Sequence, residues 1–191
     1  MDNSLFWDLK YEEGLPSLTK PDPFFLAAYE TFVFPSFPNA GTALDVAAGL
    51  GRHALWLAGK NWQVTAVDVS PVAMGKVRRA ARELNLTLDV FAVDAAQYEF
   101  GLARFDLIVL FYHFDRRLFR EIISALRPGG LVICKMALSW SSEIAPKAKG
   151  EDVLTRNELM SLLTGLDVVA HEERPIRDRG VVEFVGRKPL A

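Results

Sequence analysis

Cysteine and histidine are both scarce in this chain. A lone Cys134 excludes an internal disulfide, and with only His53, His113 and His171 beside it a cysteine-rich zinc site is excluded as well. An excess of one charge is also missing. Lys and Arg number 22 against 24 Asp and Glu, a net charge of −2, so no basic field argues for nucleic acid or an anionic membrane. Apolar runs are short: Leu107–Phe114 is broken by Asp115, and Phe24–Phe34 carries Glu30, where a membrane span needs roughly 18–20 apolar residues. The start Met-Asp-Asn-Ser is acidic and shows no charged-then-apolar leader, which gives the expectation of a cytoplasmic protein. What remains is ordinary. The 191 residues are half apolar and 24% charged, enough for a single domain with a sizeable core.

From Thr42 onward, short β-branched apolar runs alternate with segments of helical period. The runs are Ala43–Ala48, Gln63–Val67, Leu88–Val93, Phe105–Phe111 and Leu131–Met136, with Leu166–Ala170 and Val181–Val185 as two further candidates. Ser70 is placed to cap a helix that has Pro71 in its first turn and buries Ala73, Val77, Ala80, Ala81 and Leu84. Asp115 is placed to cap a second, with Leu118, Ile122 and Ala125 on one face and Pro128-Gly129-Gly130 as its stop. Thr155-Arg156-Asn157-Glu158 reads as a capping box ahead of Leu159, Leu162 and Leu163. Strand–helix alternation with near-continuous apolar strands predicts a parallel sheet covered on both faces. Only about nine residues, around Glu172–Gly180, separate the last two strands. That is too few for a parallel crossover and ample for a hairpin, so the last strand should run antiparallel. Ahead of Thr42, an aromatic and Pro-rich segment with a helix from Pro23 to about Phe34, capped by Asp22, reads as a cover on the domain. The expected organisation is a cover over 1–41 and the main domain over 42–191.

The chemistry centres on Ala43-Leu-Asp45-Val-Ala-Ala-Gly49-Leu-Gly51-Arg52-His53-Ala54, a strand running into a glycine turn and then a helix. Glycines let backbone approach a ligand, and ligands of open α/β sheets sit beyond the carboxyl ends of the strands. The turn also fits the G-x-G-x-x-G/A dinucleotide pattern, which keeps an NAD(P)-dependent oxidoreductase as an alternative. Three acids at strand ends point elsewhere. Asp68 lies 17 residues after Gly51, where a carboxylate can accept from ribose hydroxyls, and Asp94 ends the third strand, where it can accept from an exocyclic amine. Asp45, four residues before Gly49, has little use beside a pyrophosphate but suits a cationic ligand such as the ammonium and sulfonium of S-adenosylmethionine. The purely structural readings are a helix-capping Asp68 and a turn-forming Asp94.

On these residues the sequence resembles the class I S-adenosylmethionine-dependent methyltransferases, and within them the small bacterial branch with the tellurite-resistance and thiopurine types. Asp45–Arg52 resembles the first motif, Val64–Ser70 the second, and Ala92-Val-Asp94-Ala95 the adenine-contacting turn. Phe105–Phe111 and Leu126-Arg-Pro-Gly-Gly130 resemble the fourth strand and the turn before the fifth. Ala47-Ala48 departs from the Gly and Cys common there. The resemblance implies a Rossmann-like, doubly wound α/β sheet of seven strands, mostly parallel with an antiparallel last strand. It implies S-adenosylmethionine as cofactor and S-adenosylhomocysteine as product. By the same resemblance, Asp45 and Gly49 lie near the methionine portion and Gly51 at the close approach. Asp68 holds the ribose, Val69 the adenine face, and Asp94 and Ala95 the adenine edge, with Phe111 flanking the methionine portion. Trp7-Asp-Leu-Lys-Tyr11 resembles a segment that closes over the cofactor, with plain core packing as the alternative for Trp7.

Methyl transfer from a sulfonium needs orientation and exclusion of water more than acid–base chemistry. His113, just past the fourth strand, is the best-placed titratable group, with Tyr112 beside it; Arg52 is within reach of an acceptor or a cofactor carboxylate, and His171 reads as a surface residue. The long segment from Ala137 to about Asp152, with Trp140, Ser139, Ser141 and Ser142, reads as a lid over the acceptor. The hairpin with Arg174, Arg177 and Arg179 should emerge at the same end and favours an anionic or electron-rich acceptor, though Glu172, Glu173 and Asp178 interleave with it. The expected partner is a small-molecule acceptor, with no nucleic acid, no membrane and no metal, for a monomer or weak homodimer. A cofactor-binding protein without transfer activity is the non-enzymatic alternative.

Overall fold

A computed structural model describes residues 3–13, 20–139, 154–176 and 179–190. Seven strands form one sheet: β1 (Thr42–Val46), β2 (Gln63–Asp68), β3 (Asp89–Ala92), β4 (Phe105–Phe111), β5 (Leu126–Leu138), β6 (Asp167–Ile176) and β7 (Arg179–Arg187). Their order is β3-β2-β1-β4-β5-β7-β6. Pairing is parallel from β3 across to β5, and β7 runs antiparallel to both β5 and β6. This is the Rossmann-like α/β sheet with its reversed last strand. The chain builds outward from β1 through β2 to β3, then crosses to β4 on the other side of β1. The crevice beyond the carboxyl ends of β1 and β4 is therefore the switch point at which such sheets bind ligands.

The helices are α1 (Asn3–Glu12), α2 (Pro23–Ala28), α3 (Phe34–Ser36), α4 (Arg52–Ala58), α5 (Pro71–Glu83), α6 (Arg117–Ala125) and α7 (Glu158–Leu162). Strand alternation sorts the core. Leu44, Val46, Ile108, Leu110, Val132 and Cys134 face α6 and α7, while Ala43, Leu107, Val109, Leu131, Ile133 and Val185 face α2 and α4. Phe25 of α2 is fully buried in the second of these layers. Asp22 caps α2, its carboxylate accepting from Phe24 N–H at 2.9 Å.

Several boundaries differ from the sequence reading, each for a local reason. The first turns of the chain form α1, whose weak apolar periodicity hides it. The helix after Pro23 reaches Ser36 but widens to a π turn over Tyr29–Val33, with Phe34 N–H bonded back to Tyr29 O. Pro35 has no N–H to give to an i−4 carbonyl, and the widened turn absorbs that loss. Pairing to β4 begins at Leu126, so Pro128-Gly129-Gly130 lies inside β5 at an irregularity that regular register leaves at Leu131. Asp115 stands one residue ahead of the α6 cap position, held by Arg116, yet its carboxylate accepts from Arg117 N–H at 2.9 Å. The box at Thr155 is half formed. Glu158 Oε2 accepts from Thr155 N–H and Oγ1, but the Glu158 N–H donates to Thr155 O at 3.2 Å in place of the Thr hydroxyl. The last hairpin is far tighter than nine residues, because pairing continues to Ile176↔Arg179. Arg174 consequently lies in a strand and not in a loop. The paired strand ends Ile176 and Arg179 lie at the ligand end, since Gly180 pairs with Leu138 at the end of β5.

Candidate active site

β1 ends at Val46, and the next residues turn sharply: Ala47, Gly49 and Gly51 all have positive φ (54°, 56° and 74°). Each glycine is required by what lies over it. A Cβ on Gly49 would come within 2.9 Å of Tyr11 Oη, and one on Gly51 within 2.8 Å of Val77 Cγ2. Gly51 thus lets α5 approach the turn, which is a packing role. Asp68, at the end of β2, organises the same loop. Its Oδ2 accepts from Gly49 N–H at 2.8 Å and its Oδ1 from Ser70 N–H at 2.9 Å. Burial raises the Asp68 pKa, and these two amides oppose that shift. The carboxylate therefore has both oxygens engaged and retains a lone pair on each.

Asp45, two residues after Ala43 in β1, shares its face and so faces α4. It is almost wholly buried, and its Oδ2 accepts from Ala54 N–H at 3.0 Å in the first turn of that helix. Burial pushes its pKa up to about 7, partly offset by the Ala54 amide and by Arg52. His53 is also buried, with its ring 4.7 Å from Phe25 and 4.4 Å from Phe111. Its Nε2 accepts from Asp22 N–H at 3.2 Å, so this nitrogen carries no proton, and burial lowers the pKa to about 3. His53 is a fixed acceptor inside the core.

A cavity of about 270 Å³ opens over the strand ends. It is lined by Trp7, Tyr11, Ala47, Asp68, Val69, Asp94, Ala95, Phe111, Tyr112 and His113. Of the residues singled out in the sequence, Tyr11, Asp68, Val69, Asp94, Ala95, Phe111, Tyr112 and His113 are brought together here, with Gly49 beneath Tyr11. Asp45, Gly51, Arg52 and Arg174 do not line it. Asp94 Oδ1 accepts from Ala96 N–H at 2.9 Å, the turn-forming role, and its Oδ2 has no hydrogen-bond partner among the described residues. Tyr112 takes φ 58°, a conformation costly for an aromatic residue, while its N–H donates to Lys135 O at 2.8 Å. That reversal carries His113 into the cavity wall. Burial lowers the His113 pKa against the opposing pull of Asp115, Asp68 and Asp94, leaving a neutral imidazole at pH 7.

Trp7 and Tyr11, four residues apart on α1, stack with ring centroids 5.8 Å apart and form the outer wall. Burial and the Asp68 charge both raise the Tyr11 pKa. α1 is held in place by Asp8, which accepts from Ser70 Oγ and Val72 N–H, and by Lys76 Nζ, which donates to Tyr11 O at 2.6 Å. Arg174 is committed to Glu183, 3.2 Å away. His171, expected at the surface, packs against Phe184 with its Nε2 buried and 3.6 Å from Glu173. Trp140, Ser141, Ser142 and Arg177 lie outside the described residues, as does most of the expected 137–152 lid. Trp7 and Ala47 complete the cavity wall. A buried group formed by Asp22, Lys135 and Glu183 escaped the sequence reading, although Lys135 and Glu183 are each a single charge in an apolar strand run.

Residues 43–130 match the family model for a methyltransferase domain. No curated protein matches the chain. Among solved structures it is similar to TehB from Haemophilus influenzae, at 15% identity and TM-score 0.74, covering 95% of this chain and 67% of that one. It is similar to the N-methyltransferase NodS from Bradyrhizobium japonicum, solved with S-adenosyl-L-homocysteine, at 19% identity and TM-score 0.65, covering 96% and 98%. It is also similar to the [4+2]-cyclase SpnF, at 21% identity and TM-score 0.74, covering 88% and 80%. These likenesses establish the fold, and a shared fold does not carry a shared reaction. Among the described residues, no helix is long and apolar enough to cross a membrane, and no His, Cys, Asp and Glu group could hold a metal ion.

Proposed function

We propose that this chain transfers a methyl group from S-adenosylmethionine to a small-molecule acceptor, releasing S-adenosylhomocysteine. The observation that carries the reading is the make-up of the cavity wall. Among the described residues it contains two carboxylates, Asp68 and Asp94, and no Lys or Arg. A dinucleotide would bring a pyrophosphate to a wall with two carboxylates and no cation among its described residues, which weighs against the oxidoreductase reading. A cofactor that is cationic at sulfur and nitrogen fits that wall, and Val69 and Ala95 supply apolar faces for a flat base. Bound there, S-adenosylmethionine supplies a methyl group already activated by the positive sulfur.

The chain's own residues then have distinct tasks. Asp68 uses its remaining lone pairs on the ribose hydroxyls, and Asp94 Oδ2 accepts from the adenine amine. Gly49 and the Phe111 backbone leave room for the methionine portion, while Trp7 and Tyr11 exclude water from above. Asp45 acts on the cofactor through the glycine turn and helix that it fixes. His113, neutral at pH 7, takes a proton from an acceptor that arrives protonated, and Tyr112 at the cavity mouth orients it. In this reading residues 1–41 cover the catalytic domain over 42–191, and the protein works in the cytoplasm as a monomer or weak homodimer without nucleic acid.

Calorimetry with S-adenosylmethionine, S-adenosylhomocysteine, NADH and NADPH tests the reading. Binding of the adenosyl pair alone is expected. Asp68→Asn, which keeps one acceptor oxygen for the loop, should weaken that binding by about 1–3 kcal/mol. Binding of a nicotinamide cofactor instead would refute the proposal. Adenosyl binding with no transfer to any thiol, amine or oxyanion would identify a non-catalytic binder.

A further inference from the structure

Five ionisable side chains from five segments meet beside the cavity, on the sheet face covered by α2. They are Asp22 ahead of α2, Arg52 of α4, Lys135 of β5, Arg174 of β6 and Glu183 of β7. Lys135 Nζ donates to Asp22 Oδ1 and reaches Glu183 Oε1, each at 2.9 Å, and Arg174 Nη2 donates to the same Glu183 oxygen at 3.2 Å. Burying ions costs several kcal/mol each, and packing gives no reason for them here, since Leu131, Ile133 and Val185 on the same face are apolar.

One member of the group is left unfilled. Arg52 is 13% exposed, yet its guanidinium has no hydrogen-bond partner among the described residues; Asp22 Oδ2 stands 3.9 Å from it, too long for a hydrogen bond. Asp22 Oδ1 is already taken by Lys135 and by Phe24 N–H. Asp45, the other acid that acts on Arg52, has its pKa pushed up to about 7 by burial, so at neutral pH it offsets the guanidinium only in part. Arg52 lies 6.0 Å from the ring centroid of Phe111, which lines the cavity, and Phe24 packs 6.4 Å from that same ring. A planar, unfilled fork of donors beside aromatic walls matches a carboxylate on an apolar body.

We propose that Arg52 receives the carboxylate of the methyl acceptor, which is therefore a small carboxylic acid with an apolar body held near Phe24, Phe111 and Tyr112. This rests on the methyltransferase reading and adds the acceptor class to it. The other source of the same chemistry is the carboxylate of the cofactor's own methionine portion. Two pairs of probes separate the sources. S-adenosylhomocysteine is compared with 5′-methylthioadenosine, which lacks the amino-acid end. Benzoate is compared with benzamide on protein saturated with S-adenosylhomocysteine.

Wild-type protein should bind benzoate in preference to benzamide. Arg52→Gln should weaken benzoate about tenfold or more while leaving S-adenosylhomocysteine within about twofold. Arg52→Lys, which keeps the charge and loses the fork, should fall between them. Benzoate binding no better than benzamide overturns the inference. So does a tenfold loss of S-adenosylhomocysteine in Arg52→Gln with 5′-methylthioadenosine unchanged, which would give the guanidinium to the cofactor. Wild-type protein that binds no S-adenosylhomocysteine would instead refute the cofactor reading, and benzoate against benzamide on the free protein would still decide the role of Arg52.

Discussion

At the scale of single residues, the acids noticed in the sequence do more than one job. Asp94 closes a turn with one carboxylate oxygen and lines the cavity, while Asp68 lines the same cavity and ties down the glycine loop with both of its oxygens. Their positions at strand ends were legible because strand alternation and turn residues mark those ends. Asp45 was legible as a position but not as an environment. Nothing local in the sequence says that α4 will fold back and give it the Ala54 amide. Its burial has a consequence for pH. The folded pKa of about 7 lies above the unfolded value, so between about pH 4 and 7 the folded state holds more protons than the unfolded one. Stability from this residue is thus lost as pH rises through that window, by an amount on the order of a few kcal/mol. Asp45→Asn keeps an oxygen for Ala54 and removes the titration. Urea unfolding from pH 4.5 to 7.5 should show a flatter profile for the variant, with the Asp68 contribution of the same sign still present.

At the scale of elements, caps and breakers predicted where helices begin far better than where strands stop. Ser70 caps α5 and Asp22 caps α2, as their side-chain chemistry requires. The end of β6 was missed because ladder pairing with β7 carries it through polar residues that alone would read as a turn. The same pairing sets Arg174 against Glu183 and removes it from the pool of free cations. Asp22 belongs to this scale because it joins elements: it caps α2, pairs with Lys135 of β5 and gives its N–H to His53 of α4. Asp22→Ala should cost about 3 kcal/mol or more, because it removes the cap and one carboxylate of a buried pair together. Asp22→Asn should cost less, since an oxygen remains for Phe24. Equilibrium unfolding of both variants checks the ranking.

At the scale of the molecule, the sheet makes one cooperative layer, and Cys134 is a probe within it. The side chain is fully buried and burial raises its thiol pKa, so reagents reach it only when the layer opens. Thiol labelling should follow global unfolding. It should slow about a hundredfold when S-adenosylhomocysteine is present at about 100 times its dissociation constant. Labelling that ignores the ligand would mean the two lie in separate cooperative units. The sequence by itself determined the alternation of strands and helices, the reversal of the last strand and the acids at the ends of β2 and β3. These follow from local period, loop length and turn chemistry, which act between near neighbours along the chain. Only the tertiary structure decided between the two readings of Trp7, setting it with Tyr11 in the cavity wall, and made Asp45 a buried cap. It alone joined Arg52, Asp22, Lys135, Glu183 and Arg174 into one chain of ion pairs. Contacts between residues some 9 to 113 positions apart set those outcomes, and such contacts exist only once the layers have packed.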